Sequence, residues 1–125
     1  MDDLETPPRR CALVVEDDPS SRRALIMLLR GWGWETIGAE TVGEAMRELR
    51  CEPDCLILDL MLPDGNGASV LKHVRESGLP IRVAVATGTS DPAMLAEVAA
   101  LRPDVLYRKP LDAMALAQWL GEQRE

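Results

Sequence analysis

The stretch Leu56-Ile57-Leu58-Asp59-Leu60-Met61-Leu62-Pro63-Asp64-Gly65-Asn66-Gly67 carries a short apolar run into a carboxylate and then breaks into a loop of Pro, Gly and Asn. Short apolar runs bounded by turn formers read as strands buried on both faces. A charge at the end of such a strand needs a partner, an ion or a chemical task, which makes Asp59 the candidate reactive centre.

The same pattern recurs on both sides of this stretch. Upstream, residues 11–15 form an apolar strand ending in Glu16-Asp17-Asp18, and residues 34–39 form a second strand. Residues 55–59 are the third, and residues 81–86 a fourth that ends at Thr87-Gly88. Val105-Leu106-Tyr107 is a short fifth, ending at Arg108-Lys109-Pro110. Helices fill the intervals. Asp18 is placed to cap a helix that has Pro19 in its first turn, buries Ala24, Leu25, Leu28 and Leu29, and closes at Gly31.

Thr41-Val42-Gly43-Glu44 has capping-box spacing, so a second helix starts at Val42, turns Ala45, Met46 and Leu49 inward and stops before Pro53. A third runs over residues 68–77 with Val70, Leu71 and Val74 on one side and Gly78 as its stop. Asp91-Pro92 opens a fourth that lasts to about Leu101, and Asp112 caps a last one reaching about Gly121. Five strands alternating with five helices predict an α/β, doubly wound, five-stranded parallel sheet with helices on both faces.

A chain of 125 residues, 46% hydrophobic and 28% charged, has room for one domain, expected over residues 10–125 behind a flexible tail at residues 1–9. No apolar run approaches the roughly 18 residues of a membrane span, and the acidic, Pro-rich start is no secretory signal, so a cytoplasmic location without membrane contact is expected. A net charge of −7 without a Lys/Arg stripe argues against direct binding of nucleic acid. Of the three cysteines, Cys11 and Cys55 open strands as small core residues, and Cys51-x-x-x-Cys55 lacks a second pair for a metal site.

A sheet order of 2-1-3-4-5 reverses between the first and third strands, where doubly wound folds bind their ligands. Glu16, Asp17 and Asp59 then converge in one shallow pocket. Three close carboxylates call for a shifted pKa or a hard divalent cation, and among cations Mg²⁺, which takes oxygen ligands and keeps several waters, suits them best. Lys109 stands out because the chain has twelve Arg and only two Lys. A compact ammonium makes a point-charge contact to a phosphoryl oxygen or carboxylate that a guanidinium fork does not copy in a tight pocket. Thr87 offers a hydroxyl at the neighbouring strand end, and Pro110 makes Lys109-Pro110 a candidate cis bond.

Taken together, Val14-Val15-Glu16-Asp17-Asp18-Pro19, Asp59-Leu60-Met61-Leu62-Pro63-Asp64-Gly65-Asn66-Gly67, Thr87-Gly88 and Tyr107-Arg108-Lys109-Pro110 resemble the response-regulator receiver domain of bacterial two-component signalling, over residues 10–121. The resemblance implies the flavodoxin-like receiver fold. It implies Asp59 as phosphoacceptor, with Glu16, Asp17, Asp59 and the backbone carbonyl of Met61 as Mg²⁺ ligands. Thr87, Lys109 and the backbone of Gly88 would contact the phosphoryl group. Thr87 and Tyr107 would form the switch, the aromatic turning inward as the threonine moves, and bias a surface made by the fourth helix, fifth strand and fifth helix.

The implied partners are a histidine kinase or phosphotransfer protein upstream and a protein target downstream. The implied role is signalling rather than enzymatic, with catalysis confined to the domain's own phosphorylation and dephosphorylation. A stand-alone receiver with an intermolecular output is expected. The fourth helix carries a single charge, so its outward face is a candidate partner or homodimer face together with the fifth helix. Trp119, beside Leu116 on the fifth helix, reads first as a core residue and second as an extension of that face.

Met61 and Thr89, each two positions beyond a site residue, offer no acid or amide to hold an attacking water, which predicts intermediate to slow self-dephosphorylation. His73 reads as a solvated surface residue. A phosphohydrolase with an aspartate nucleophile would want a second acid at position 61, where Met stands. A flavin-binding electron carrier would not place Glu16-Asp17-Asp18 against a phosphate. A phosphorylation-independent scaffold would have no need of both Asp59 and Lys109.

Overall fold

The computed structural model describes residues 10–121; the expected tail at residues 1–9 lies outside them. Strands β1 (Cys11–Val15), β2 (Glu35–Ala39), β3 (Cys55–Leu58), β6 (Arg82–Thr87) and β7 (Val105–Arg108) form one parallel sheet in the order β2-β1-β3-β6-β7. This is the predicted 2-1-3-4-5 order. Two further strands of two residues, β4 (Met61–Leu62) and β5 (Gly65–Asn66), pair antiparallel as a small hairpin after Asp59. Strands so short carry no periodicity, which keeps this hairpin out of reach of a sequence reading.

The helices are α1 (Pro19–Gly31), α2 (Val42–Glu48) with a 3₁₀ turn at Leu49–Cys51, α3 (Ala68–Ser77), α4 (Pro92–Ala100) and α5 (Ala113–Gly121). Their starts follow from side chains that satisfy free backbone N–H groups. Asp18 accepts from Ser21, Thr41 from Glu44 and Asp91 from Ala93. Gly78 ends α3 at φ 74°, a left-handed conformation that costs other residues energy.

Alternate strand residues feed two cores. Leu13, Val15, Leu56, Leu58, Val83 and Val85 pack on one face against α2, α3 and α4, meeting Ala45, Leu71, Val74 and Val98. Ala12, Val14, Cys55, Ile57 and Ala84 pack on the other against α1 and α5, meeting Leu29, Leu116, Trp119 and Leu120. Each fully buried leucine contributes on the order of 2 kcal/mol, so the strands are held from both sides.

Trp119 is buried, in keeping with its reading as a core residue, and the exposed positions of α4 are Pro92, Ala93, Ala96, Glu97, Ala99 and Ala100. Two placements differ from the sequence reading. Ala24 is exposed, and Ile26 packs against the α1 core in its place. Cys11 is half-buried rather than fully inside, and burial together with nearby Glu35 and Asp54 pushes its thiol pKa up.

Candidate phosphoacceptor and metal site

The carboxyl ends of β1 and β3 bring Glu16, Asp17 and Asp59 together, with one carboxylate oxygen of each within 4.8 Å of the others. Glu16 and Asp59 are buried, whereas Asp17 is exposed. Backbone bonds carried on from the sheet hold this edge: Glu16 N–H donates to the Ala39 carbonyl at 2.9 Å, and Asp59 N–H to the Val15 carbonyl at 3.0 Å. The Lys109 ammonium donates to Glu16 Oε1 at 2.7 Å and to Asp59 Oδ2 at 3.2 Å. Burial works against that ammonium, but the bond to Glu16 and the charge of Asp59 outweigh it and hold its pKa above the usual lysine value.

The donor set is all oxygen, which fits Mg²⁺. A cation here would be held by carboxylates arriving from two strands, with water in the remaining positions. The Lys109-Pro110 bond is cis, and Pro110 lines a cavity of about 320 Å³ between α1 and the start of α5 that reaches Glu16 and Asp59.

The other sequence-predicted residues divide by sheet face. Thr87 is fully buried at the end of β6, and its hydroxyl oxygen accepts the Thr89 N–H at 3.1 Å. Gly88 follows it in the open, with no atom within 4 Å of where a Cβ would stand. Tyr107 does not share Thr87's face. It pairs with Ala86, while Thr87 pairs with Arg108 and Val85 with Leu106. Side chains alternate along a strand, so Thr87 lies with Val83 and Val85 on the α4 side, whereas Tyr107 packs in the α1–α5 core. Its hydroxyl donates to the Ala115 carbonyl on α5 at 3.3 Å.

The expected Thr87–Tyr107 pair is therefore split across the sheet, and the residue on Thr87's side is Leu106, 40% exposed. Tyr107 has no direct way into space vacated by Thr87. Alternation alone separates Leu106 from Tyr107, but which of them matches Thr87 depends on the β6–β7 register.

The structure also supplies residues that the sequence reading passed over. Asp64, at the hairpin tip, accepts the Val42 N–H at 2.7 Å and the Gly43 N–H at 3.0 Å, capping α2 from outside. Those two backbone bonds lower its pKa. Gly67 packs against the chain it follows: a Cβ there would collide with the Asp59 carbonyl oxygen and lie 3.0 Å from Leu60 Cα. Asn66 donates from its side chain to Glu97 of α4 at 3.4 Å and accepts the Ala68 N–H at 2.8 Å. Arg22, on α1, donates to the Glu16 carbonyl at 2.9 Å. His73 is exposed, as expected.

Solved structures share the architecture. A signal receiver domain of a putative Luxo repressor protein from Vibrio parahaemolyticus superposes with TM-score 0.84 at 25% identity, covering 93% of this chain and 90% of that one. A CheY-like response regulator receiver domain protein from Methanospirillum hungatei gives TM-score 0.86 at 21% identity, over 93% and 94% of the two chains, and supports the fold alone. Among curated proteins, the DNA-binding response regulator MtrA of Mycolicibacterium smegmatis is 46% identical over 78 residues, which is 58% of this chain and 33% of that protein. The KDP operon transcriptional regulatory protein KdpE of Escherichia coli is 40% identical over 73 residues, 57% of this chain and 32% of that one. The match thus spans about a third of these relatives' length. The model of the response regulator receiver domain matches residues 12–120, nearly the whole described chain, and with the acidic strand ends and the bridging lysine it makes this chain a member of the response regulator receiver domain family of two-component signalling.

Proposed function

We propose that Asp59 accepts a phosphoryl group from a phosphohistidine on a kinase or phosphotransfer protein, in a reaction that requires Mg²⁺ held by Glu16, Asp17, Asp59 and the Met61 carbonyl. The observation that carries this reading is the Lys109 ammonium set between Glu16 and Asp59, with Asp17 alongside. Receiver domains generally bind Mg²⁺, and a bound Mg²⁺ would supply charge neutralisation on the phosphoryl oxygens.

The chain's own groups do the rest. An Asp59 carboxylate oxygen attacks phosphorus, the P–N bond to the imidazole breaks, and the departing imidazole takes the electron pair and a proton from water. Lys109, already 3.2 Å from Asp59, is placed to move its charge from the carboxylate to a phosphoryl oxygen. Thr87 and the Gly88 N–H are the further donors. The output surface is α4, β7 and α5, where Leu106 and the α4 alanines are open to a protein target or a second copy. Mycobacterial MtrA is named as DNA-binding, so in a longer protein this surface would act on an attached DNA-binding part.

The test is intact mass after incubation with acetyl phosphate, with and without Mg²⁺, for wild type and Asp59→Asn. A Mg²⁺-dependent gain of one phosphoryl group, absent in the variant, is expected. No gain in the folded wild type would leave the scaffold reading ahead.

A further inference from the structure

We infer that Arg22 is a positioning residue for the cation site, acting through the backbone of the two β1-derived ligands rather than by touching the cation. The inference rests on the proposed Mg²⁺ role of Glu16 and Asp17. Arg22 Nη1 reaches back across the β1–α1 turn and donates to the Glu16 carbonyl at 2.9 Å, with a longer contact to the Asp17 carbonyl at 3.4 Å. Its Nη2 lies 3.8 Å from the Glu40 carboxylate beyond the end of β2, and its side chain is only 21% exposed.

The two ligands differ in what else holds them. The Glu16 carboxylate is fixed by Lys109 and by the Asp18 N–H, which donates to it at 3.1 Å. Asp17 is exposed, and among the described residues its carboxylate takes no hydrogen bond, so the backbone at position 17, which sets the Cα–Cβ direction and the rotamers open to it, is what limits where the carboxylate can reach. The backbone at Glu16 and Asp17 is where Arg22 pulls. Ligand direction controls cation affinity, because a carboxylate turned away must be reoriented at the cost of binding energy.

The room for this arrangement comes from β2. Gly38 has no side chain, and a Cβ there would stand 3.4 Å from Arg22 Cδ, 3.7 Å from Arg22 Cγ and 3.0 Å from Ile26 Cδ1. The arginine stem thus runs over a glycine. A Cβ alone would touch the stem at ordinary contact distance and crowd Ile26, whereas the γ-methyls of a valine would reach further into the space the stem occupies and crowd the guanidinium's path without removing its charge.

Positioning and simple electrostatics give opposite signs. A guanidinium near a cation site repels the cation, so if charge were its only effect, Arg22→Ala would bind Mg²⁺ more tightly. If Arg22 sets ligand direction, Arg22→Ala binds more weakly, by about 10-fold, in the range found for groups that orient metal ligands. Arg22→Lys, with a point charge in place of the fork, should lose part of that. Gly38→Val should shift affinity the same way as Arg22→Ala.

The experiment is calorimetric titration of MgCl₂ into the 125-residue chain for the wild type and these three variants, with circular dichroism as the control for folding. Weaker binding in Arg22→Ala and Gly38→Val, with intermediate loss in Arg22→Lys, is the expected result. Unchanged or tighter binding in folded Arg22→Ala overturns the inference, and should that variant not fold, wild-type affinity in Gly38→Val does so instead. A wild type that does not bind Mg²⁺ overturns the cation reading itself, and this inference with it.

Discussion

Gly67→Ala is the smallest change that should reach Asp59 from outside the site. Gly67 is buried at the start of α3, with helical φ −58° and ψ −20°, so alanine has no backbone objection to the position. The objection is space. The added Cβ would overlap the Asp59 carbonyl oxygen and lie 3.0 Å from Leu60 Cα and 3.1 Å from Asp59 C, all of them backbone atoms that no rotamer change can move. Relief requires the Asp59–Leu60 backbone and the start of α3 to part. Yet Gly67 N–H donates to the Leu60 carbonyl at 2.7 Å, and Asp59 N–H is tied to Val15. Overpacking of this kind costs about 1–3 kcal/mol, which lowers the melting temperature by roughly 4 °C per kcal/mol in a chain of this size.

The larger effect should be on rate. A displacement of about 1 Å at a reacting group costs about 100-fold, and the displaced backbone is that of the nucleophile. Acetyl phosphate phosphorylation followed by intact mass, with thermal unfolding on the same samples, checks both. Wild-type phosphorylation with an unchanged melting temperature would refute the argument that this glycine is required by the close approach of the Asp59 backbone.

Three further outcomes follow from the site and its surroundings. Asp64 has its pKa lowered by the Val42 and Gly43 N–H groups, so its contribution is present above the unfolded carboxylate value near 3.8 and is lost as pH falls through the lower folded value. Hydrogen exchange on these two amides should rise, relative to the intrinsic rate, on acidification below that range and at neutral pH in Asp64→Asn; equal protection in wild type and variant would contradict the cap. Because Tyr107 is bonded to α5 and Leu106 faces the Thr87 side, Leu106→Ala should reduce the phosphorylation-dependent change in α4 exchange protection severalfold, while Tyr107→Phe should cost at most about 1 kcal/mol of stability and leave that change intact. The reverse ranking would restore the tyrosine as switch. Since Met61 is an exposed thioether and Thr89 has no acid or amide, the aspartyl phosphate should persist for minutes or longer in a hydrolysis time course; loss within seconds would show that another group positions the water.

The sheet was legible because its strands are apolar runs that stop on polar residues, and the helices because Asp18, Thr41 and Asp91 announce them locally. The acidic cluster and Lys109 were legible for the same reason: parallel strands collect their carboxyl ends on one edge. What escaped reading depends on contacts between distant segments. Asp64 caps a helix 21 or 22 residues upstream, and nothing in the local Pro63-Asp64-Gly65 turn distinguishes that role from an ordinary turn aspartate. Arg22 lies within an apparently ordinary basic pair, Arg22-Arg23, and only the fold back over Gly38 separates the two. Tyr107 was misplaced by one residue's worth of alternation, which register alone decides.

The same distinction explains how a charge at Asp59 could be felt at α4. On the proposed reading, Lys109 and a bound Mg²⁺ offset the three carboxylates, so a phosphoryl group brings uncompensated negative charge that draws donors toward Asp59. Thr87 carries the one side-chain hydroxyl of β6, at its carboxyl end, and its oxygen already accepts the Thr89 N–H at 3.1 Å. Thr89 Oγ1 in turn accepts the Asp91 N–H at 3.1 Å, and Asp91 caps α4 by accepting the Ala93 N–H at 3.1 Å. Three side-chain-to-backbone bonds thus run in series from the strand end to the first turn of α4. Moving Thr87 strains the first of them, and the rest can follow only by shifting the start of α4 or by breaking. The outer face of that helix carries Ala93, Ala96, Ala99 and Ala100, and its charged residue, Glu97, meets Asn66 only at 3.4 Å, so a shift of the helix N-terminus meets little packing resistance there.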